Sequence, residues 1–491
     1  MAPFEGETMS GKPFFRTREV ILSDPFDAYI VKMRTLQRRY AYETWPMARL
    51  RRYIDMLCEF GFNSLQLSDL SENYAASGYA LTPGQFAAKL HWLSDYAKSK
   101  GMTRTLFVWG TGAVDVESSR GKLLDWSFWH PCPCVKGGQA ALDKHYRCQA
   151  RHAPWFDHFV SHWADPGGCH GGKCTLATAL GLHNQMAAEF RKHNPSIRST
   201  FSLWTLHLKH LAGQWRGYES VESILDAGVL DEGVGLAQHG RFRLAEAQKI
   251  AASGRPVGVW SWYLADDEVE PSIHVHTELL GDYFNRISTK ASSLVSWHSM
   301  DSNCHALNVP SLYVAAQLLV DPYRDPEKLL AEFCARAFGK SADGFAEGLL
   351  AIAKTRCEND YMRIEPLLTG TPWRGLPDER QHPDKHLAIV RRARKAVARL
   401  KADKSFRPDL PLIITAETFL EELKAHLKII EEFAVFRIAL RKAGKLKGAI
   451  DASRLPALKR PGRLMTQFEY KLYREHLDVL KKEGQQARRK S

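Results

Sequence analysis

Strand-like and helix-like segments alternate along most of this chain, and this alternation constrains the fold more than any other feature. From about residue 38 to residue 320, short β-branched or apolar runs recur, each followed by sequence of helical periodicity. The predicted strands are Arg38 to Tyr42, Asn63 to Leu67, Arg104 to Trp109, Phe159 to Trp163, Ile197 to Trp204, Gly233 to Ala237, Pro256 to Trp262 and Ser293 to Trp297. Eight such units are typical of a (β/α)8 TIM barrel of about 250 residues.

A doubly wound parallel sheet is the alternative architecture. It requires a glycine-rich phosphate-binding turn after an early strand. The glycine-dense turn of this chain runs from Gly167-Gly168 to Gly171-Gly172, follows the fourth predicted strand and carries two cysteines, Cys169 within it and Cys174 just after it. The sequence therefore favours the barrel.

Helical periodicity continues after about residue 325 without strand-like sequence. Apolar residues recur every three or four positions from Val390 to Leu400, from Leu420 to Ala434 and from Met465 to Leu472. This pattern predicts an all-α C-terminal helical bundle packed on the barrel. We therefore divide the chain into an N-terminal extension (residues 1–37), a catalytic barrel (38–325) and a basic helical domain (326–491).

The positive charge is concentrated near the C-terminus. The chain has 68 Lys and Arg against 55 Asp and Glu, a net charge of +13, whereas residues 385–491 alone hold 27 against 12, or +15. A basic region can bind nucleic acid or acidic lipid, but it also arises from the solvated outer faces of helices. Because no nucleic-acid-binding motif accompanies the charge, we favour helix faces and expect no nucleic-acid partner.

The expected location is cytoplasmic, without membrane attachment. No apolar run approaches the roughly 18 residues needed to cross a bilayer. Met1 to Lys12 has neither the basic nor the apolar region of a secretory signal. The nine cysteines are an odd number, and several stand alone in helix-like sequence, so a fully disulfide-bonded exported protein is not expected.

Tryptophan collects at the predicted strand ends, where a barrel holds its active site. Twelve of the thirteen tryptophans lie between Trp45 and Trp297. An indole ring offers a broad apolar face that suits the C–H-rich face of a sugar ring as well as a protein core. The tryptophans assigned to a sugar-binding pocket are Trp109, Trp163, Trp204, Trp262 and Trp297.

Acidic residues follow the same strand ends. Strand four leads into Asp165, and strand seven leads into Asp266, Asp267 and Glu268. Glycoside hydrolysis needs one protonated and one ionised carboxyl group, and two such clusters can face each other across a barrel mouth. The alternative is that Asp165 caps a helix and the other three are solvated. Further substrate-binding candidates at strand ends are Glu43, Asp69, His239, His298 and Asp301.

Four cysteines near strand four are candidate metal ligands: Cys132, Cys134, Cys169 and Cys174. Four thiolates can hold a structural zinc ion, although these spacings differ from the usual paired CxxC motifs. Free thiols or a disulfide are the alternatives. A zinc site would join the loop before strand four to the loop after it, and no cofactor is expected for catalysis.

Two other functional classes stay open. Metal-dependent barrel hydrolases use histidine and aspartate at strand ends to activate water. They carry an HxH pair with the first strand, whereas His274 and His276 follow strand seven here. A non-catalytic carbohydrate-binding barrel would keep the tryptophans without needing a facing carboxyl pair.

Two segments resemble a known group of enzymes. Asp165-Pro166-Gly167-Gly168-Cys169, with Cys174, resembles the fourth βα unit of barrel glycoside hydrolases related to family 20 hexosaminidases and family 67 and 115 α-glucuronidases. The stretch from Asn308 to Ala316, continuing to Gly339, resembles the helix that leaves the barrel in that group. The resemblance spans about residues 160 to 345 and implies a glycosidase acting on an oligosaccharide or glycoside. Only Asp165 matches by position, and Pro166 departs from the adjacent Asp-Glu of acetamido-assisted hexosaminidases.

Overall fold

Eight parallel strands close into a barrel in the computed structural model. The structure describes residues 13–21, 30–32, 35–37, 46–68, 82–110, 132–134, 136–162, 173–203, 219–239, 243–261, 294–301, 309–355, 383–400 and 416–443. The barrel strands are β1 (Arg18–Ile21), β2 (Ser64–Ser68), β3 (Thr103–Trp109), β4 (His158–His162), β5 (Arg198–Ser202), β6 (Gly235–His239), β7 (Val257–Ser261) and β8 (Val295–Asp301). Each strand pairs with its neighbour in sequence, and β8 pairs with β1 to close the ring.

The first strand corrects the sequence-based assignment. Arg18–Ile21 pairs in parallel with both β2 and β8, and so takes the place that we assigned to Arg38 to Tyr42. Arg38 to Tyr42 lie outside the described residues. The barrel therefore begins within the segment 1–37 that we had assigned to an N-terminal extension. The sequence of β1 lacks a clear apolar pattern because its second residue, Glu19, is charged. Pairing with Ser299 on β8 and Ser64 on β2 places Glu19 inside the barrel.

Helices follow the strands and cover the outside of the barrel. They are α1 (Met47–Phe60), α2 (Pro83–Ser99), α3 (Gly138–Ala150), α4 (Leu176–His193), α5 (Val221–Asp226), α6 (Leu244–Ala252) and α7 (Val309–Val320). A short antiparallel hairpin, Ile30–Lys32 with Thr35–Gln37, lies between β1 and α1 in sequence. Outward-facing strand residues such as Leu65, Leu106 and Phe159 are fully buried in the core that the strands share with these helices.

Local sequence explains where several of these helices begin and end. Thr82 and Gln85 form a capping box at the start of α2, and Thr175 caps α4 in the same way with Thr178. Gly61 ends α1 with φ of 109°, a left-handed conformation that favours glycine.

Beyond the barrel, the described residues form helices only, as the sequence predicts. They are α8 (Pro326–Phe338), α9 (Ala342–Thr355), α10 (Pro383–Ala398) and α11 (Ala416–Ala443). Val390, Val397, Leu423 and Leu427 are buried where α9, α10 and α11 pack together. The apolar stripes of α10 and α11 thus form a helical core, whereas Met465 to Leu472 lie outside the described residues.

Basic residues of α10 form ion pairs with neighbouring helices. Arg391 and Arg394 both pair with Glu431 on α11, and Arg392 pairs with Glu347 on α9 at 2.7 Å. This arrangement agrees with the interpretation of the charge as exposed helix faces. Within the described segments, no helix is both long and apolar enough to cross a membrane.

Candidate active site

Strand register arranges the barrel interior in layers, each built from alternate strands. From the N-terminal side, the first layer is Ser64, His158, Gly235 and Trp297; the second is Glu19, Thr105, Thr200 and Gly258; the third is Gln66, Val160, Ala237 and Ser299. Phe107, Ser202 and Trp260 form the fourth layer, and Ser68 and His162 lie above them at the strand ends. Barrel interiors are usually filled by branched apolar residues, so the polar character of these layers is unusual.

Two glycines in these layers make room for large neighbours. A Cβ on Gly258 would lie 2.5 Å from Trp297 Cε3, and one on Gly235 would lie 2.8 Å from Thr200 Oγ1. Such distances are shorter than van der Waals contact. The two glycines therefore allow the Trp297 ring and the Thr200 hydroxyl to occupy the barrel interior.

Glu19 is the central charged group of the interior and is fully buried. Its Oε2 accepts hydrogen bonds from the hydroxyls of Ser64, at 2.7 Å, and of Thr105. Burial raises the pKa of Glu19, and the polar side chains of Thr105, Trp297, Ser64 and Ser299 offset only part of that rise. Among the described residues, neither Glu19 Oε1 nor Trp297 Nε1 has a hydrogen-bond partner of ordinary geometry. The carboxyl group therefore takes up a proton more readily than an exposed glutamate does.

A chain of hydrogen bonds leads from Glu19 to the opposite wall. His158 lies between Thr105 and Thr200, with Nδ1 3.4 Å from Thr105 Oγ1 and Nε2 2.8 Å from Thr200 Oγ1. Burial, with the nearby Arg198 charge, lowers the pKa of His158 to about 3, so the ring is neutral at pH 7. When Thr105 donates its hydroxyl proton to ionised Glu19, it can only accept from His158 Nδ1–H, and His158 Nε2 then accepts from Thr200. The chain links β1, β3, β4 and β5 and holds their relative positions.

His162 and Trp260 form the floor of the barrel mouth. The His162 ring centroid lies 4.9 Å from that of Trp260 and 5.5 Å from that of Phe107. His162 Nδ1 lies 3.3 Å from the Ser202 hydroxyl. His162 is the last residue of β4, so the segment that carries Asp165 starts from a side chain held by three contacts.

Three predicted site residues end barrel strands, as expected. Trp109 is the last residue of β3, His239 of β6 and Asp301 of β8. His239 is in register with Trp260, and Asp301 is in register with Ile21. Their backbones therefore lie at the mouth.

Most of the predicted catalytic and sugar-binding residues lie outside the described residues. These are Glu43, Asp69, Trp163, Asp165, Trp204, Trp262, Asp266, Asp267 and Glu268. Asp69 directly follows β2, Asp165 follows β4 after two residues, and Trp262 directly follows β7. Glu43 is a candidate because it directly follows Tyr42, the predicted end of the first strand. The first strand ends at Ile21 instead, so Glu43 does not follow a barrel strand.

Trp297 and His298 occupy positions that differ from the prediction. Strand β8 continues four residues beyond Trp297, so Trp297 lies deep in the barrel, with its ring centroid 5.7 Å from that of His158. His298 lies on the outer side of β8 against Phe15, at 5.2 Å between ring centroids, and is fully buried. Burial lowers the pKa of His298 to about 3. Neither residue lies at the mouth, because strand eight ends at Asp301 and not at Trp297, where the sequence predicts its end.

Three of the four predicted metal-ligating cysteines come together. Cys174 Sγ lies 3.7 Å from Cys132 Sγ and 3.2 Å from Cys134 Sγ. Cys169 lies outside the described residues. Among the described side chains, these cysteines are the one group of three or more histidine, cysteine or acidic residues able to surround a metal ion. His274 and His276, the HxH pair that follows strand seven, also fall outside the described ranges.

Sequence reasoning missed Glu19, Thr105 and His158. Polar residues alternate with apolar ones along β2 (Ser64, Gln66 and Ser68), and this pattern resembles that of a strand with one face in solvent. A glutamate between Arg18 and Val20 gives no separate signal of burial. Only closure of the barrel places these groups in its interior.

Comparison with known proteins confirms the fold. No family model and no curated protein matches the sequence. The structure of CpGH84B is similar at a TM-score of 0.52 and 12% identity, over 88% of this chain and 69% of that one. The O-GlcNAc hydrolase of Thermobaculum terrenum is similar at a TM-score of 0.50 and 12% identity, over 87% of this chain and 86% of that one. The chain therefore shares the TIM-barrel fold of these proteins.

Proposed function

We propose that this protein is a glycoside hydrolase that cleaves an O-glycosidic bond in an oligosaccharide or glycoside with a pair of carboxyl groups. The observation that carries the proposal is that acidic residues follow both β4 and β7 within a few positions in the sequence. β4 ends at His162 and β7 at Ser261, and the segments that carry Asp165 and Asp266 to Glu268 therefore start from these two strand ends on the C-terminal side of the barrel. Barrel enzymes hold their catalytic groups on this side.

The chemistry divides between the two acidic segments. One carboxyl group protonates the departing glycosidic oxygen, and the other acts as the nucleophile or as the base for water. We assign Asp165 to one role and one of Asp266, Asp267 and Glu268 to the other. Such a pair needs a separation of about 5 Å for retention or roughly 6.5–9.5 Å for inversion of the anomeric centre.

Aromatic residues at the mouth are proposed to hold the sugar. Trp109 ends β3 and Trp262 directly follows β7, while Trp163 and Trp204 follow β4 and β5 within two residues. His239 and Asp301 end their strands and are proposed to bind sugar hydroxyls. Trp297 and His298 are left out because both lie away from the mouth.

Similarity of fold to the Thermobaculum terrenum O-GlcNAc hydrolase supports the reaction class. It also makes an aryl β-N-acetylglucosaminide the first substrate to test. Pro166 after Asp165 favours a wider screen, because substrate-assisted hexosaminidases have two adjacent acidic residues there. The panel therefore includes aryl β-glucosides and α-glucuronides.

Asp165→Asn and Asp267→Asn test the assignment on whichever substrate is hydrolysed. Loss of a working carboxyl group is expected to lower kcat by about 10²–10⁴-fold with a smaller change in KM. Asp95→Asn is the matched control, because Asp95 is exposed on α2 on the outside of the barrel. Full activity of both site variants would exclude these carboxyl groups. Sugar binding without turnover on any substrate would favour a carbohydrate-binding protein instead.

A further inference from the structure

Cys132, Cys134 and Cys174 form a compact group of sulfur atoms, which we call the three-cysteine cluster. The three Sγ atoms all lie within 4.8 Å of one another. Cys132 and Cys174 are buried, whereas Cys134 is exposed. The cluster therefore has two ligands anchored in the core and one side open to solvent.

These sulfur separations suit a tetrahedral metal ion. A Zn–S bond of about 2.3 Å in tetrahedral geometry places two sulfur atoms about 3.8 Å apart. The pairs formed with Cys174 measure 3.7 Å and 3.2 Å. A disulfide requires about 2.05 Å and joins only two sulfur atoms, so it would leave the third thiol unused.

The scaffold around the cluster is formed by two packed helices. Cys132 and Cys134 precede α3, and Cys174 directly precedes Thr175, the N-cap of α4. Gln185 on α4 donates a 2.6 Å hydrogen bond to Asp143 on α3 and accepts a 3.0 Å hydrogen bond from Gln139. The packing of α3 on α4 therefore brings the cysteines together.

We propose that the three-cysteine cluster is a structural site for Zn²⁺. On binding, the three thiols release their protons to solvent and ligate the ion as thiolates. The fourth position is taken by water or by a further side chain.

The position of this site in the sequence gives it a structural role. Cys132 and Cys134 come between β3 and α3, and Cys174 comes at the end of the segment that starts after His162 and contains Asp165. A metal would join the β3–α3 connection to the β4–α4 connection. This inference does not depend on the proposed glycosidase activity, because the site can be tested by metal content alone.

The test measures the metal content of the full chain. The protein is purified under reducing conditions and incubated with Zn²⁺, and unbound Zn²⁺ is then removed. Elemental analysis is expected to find about one zinc per chain. Cys134→Ser is the main variant, because this exposed side chain can change without opening the core, and it is expected to lower the zinc content about tenfold. Cys58→Ser, on α1 and outside the cluster, is expected to keep the wild-type content. Far-ultraviolet circular dichroism checks that both variants fold.

Cobalt substitution gives a second readout of the ligands. Tetrahedral Co²⁺ bound to thiolates shows a sulfur-to-metal charge-transfer band and intense visible bands, and we expect both in wild type and neither in Cys134→Ser. Zinc below about one tenth per chain would overturn the proposal, since a structural site binds far more tightly than that. So would unchanged zinc in a folded Cys134→Ser variant, or a Cys134–Cys174 disulfide found by peptide mapping of zinc-free wild type.

Discussion

The Ser64 hydroxyl donates a 2.7 Å hydrogen bond to Glu19 Oε2 in the closed interior of the barrel. The two residues are strand partners in the β1–β2 pair, so this bond joins side chains at a point where the backbones also pair. Together with Thr105 and His158, it replaces part of the apolar filling of a usual barrel by a polar network. A buried carboxyl group of this kind has consequences that can be measured.

Glu19→Gln is expected to change how stability depends on pH. Because burial raises the pKa of Glu19 from its ordinary value of 4.5, the contribution of this side chain is fully present below that value and is lost as pH rises through the pKa in the folded protein. The free energy of unfolding of the variant minus that of wild type should therefore increase as pH rises. The increase should be up to about 1.4 kcal/mol per pH unit between the ordinary pKa and the raised pKa of the folded protein. Urea unfolding from pH 4 to 8 measures the difference.

The control for this measurement is Glu421→Gln, which changes an exposed residue on α11. It is expected to leave the pH profile of stability unchanged. A constant difference between Glu19→Gln and wild type across the range would show that Glu19 keeps an ordinary pKa when folded.

His183→Gln is expected to flatten the loss of stability in acid. Burial, with the charges of Arg191 and Arg255, lowers the pKa of His183 to about 3, against 6.5 for an exposed histidine. The unfolded chain therefore binds the extra proton, and stability falls as pH drops from 6.5 toward 3, by up to about 1.4 kcal/mol per pH unit. Glutamine cannot bind this proton in the unfolded chain, so the free energy of unfolding of the variant should fall less steeply between pH 6.5 and 4.5.

At pH 7, His183→Gln is expected to be less stable than wild type, because His183 bridges Ser161 at 2.7 Å and Ser199 at 3.3 Å. Loss of these contacts costs about 1–3 kcal/mol. His193→Gln, at the exposed end of α4, serves as the control. If wild type and His183→Gln lost stability in acid at equal rates, His183 would not be the responsible group.

Gly258→Ala is expected to destabilise the barrel by about 1–3 kcal/mol, because the new methyl group must displace the Trp297 ring or move β7. Gly181→Ala is the matched control. Apart from its chain neighbours and the backbone of its own helix, no atom of the described residues lies within 4 Å of the Cβ position of Gly181 in α4, so alanine there should stabilise the protein by roughly 0.5–1 kcal/mol. Thermal unfolding of the two variants should move in opposite directions, and equal changes would contradict the packing of Trp297 against Gly258.

Cys169→Ser tests whether Cys169 supplies the fourth thiolate of the zinc site, as its sequence position predicts. In the cobalt-substituted protein, charge-transfer intensity grows with the number of thiolates bound to the metal. The variant should therefore show about one quarter less of this intensity per bound cobalt ion. Intensity equal to that of wild type would assign the fourth position to another ligand.

The order of strands and helices could be read from the sequence with few errors, because its signals are local. Outward-facing residues such as Leu106 and Phe159 are apolar and pack against the helices, and caps such as Thr82 and Gly61 act within a single turn. The C-terminal helices were equally predictable, since the apolar stripe of α10 is complete within its own sequence. The gathering of tryptophans and acids after strand ends is likewise visible along the chain.

The tertiary structure alone decided which residues face each other inside the barrel. Glu19 belongs to β1 because β8 and β2 pair with its strand, and these partners lie far away in sequence. Trp297 lies deep inside because β8 runs on to Asp301, and Cys132 meets Cys174 because α3 packs on α4. Such contacts depend on ring closure and register, which set distances between remote segments, whereas periodicity and capping report only on neighbours along the chain.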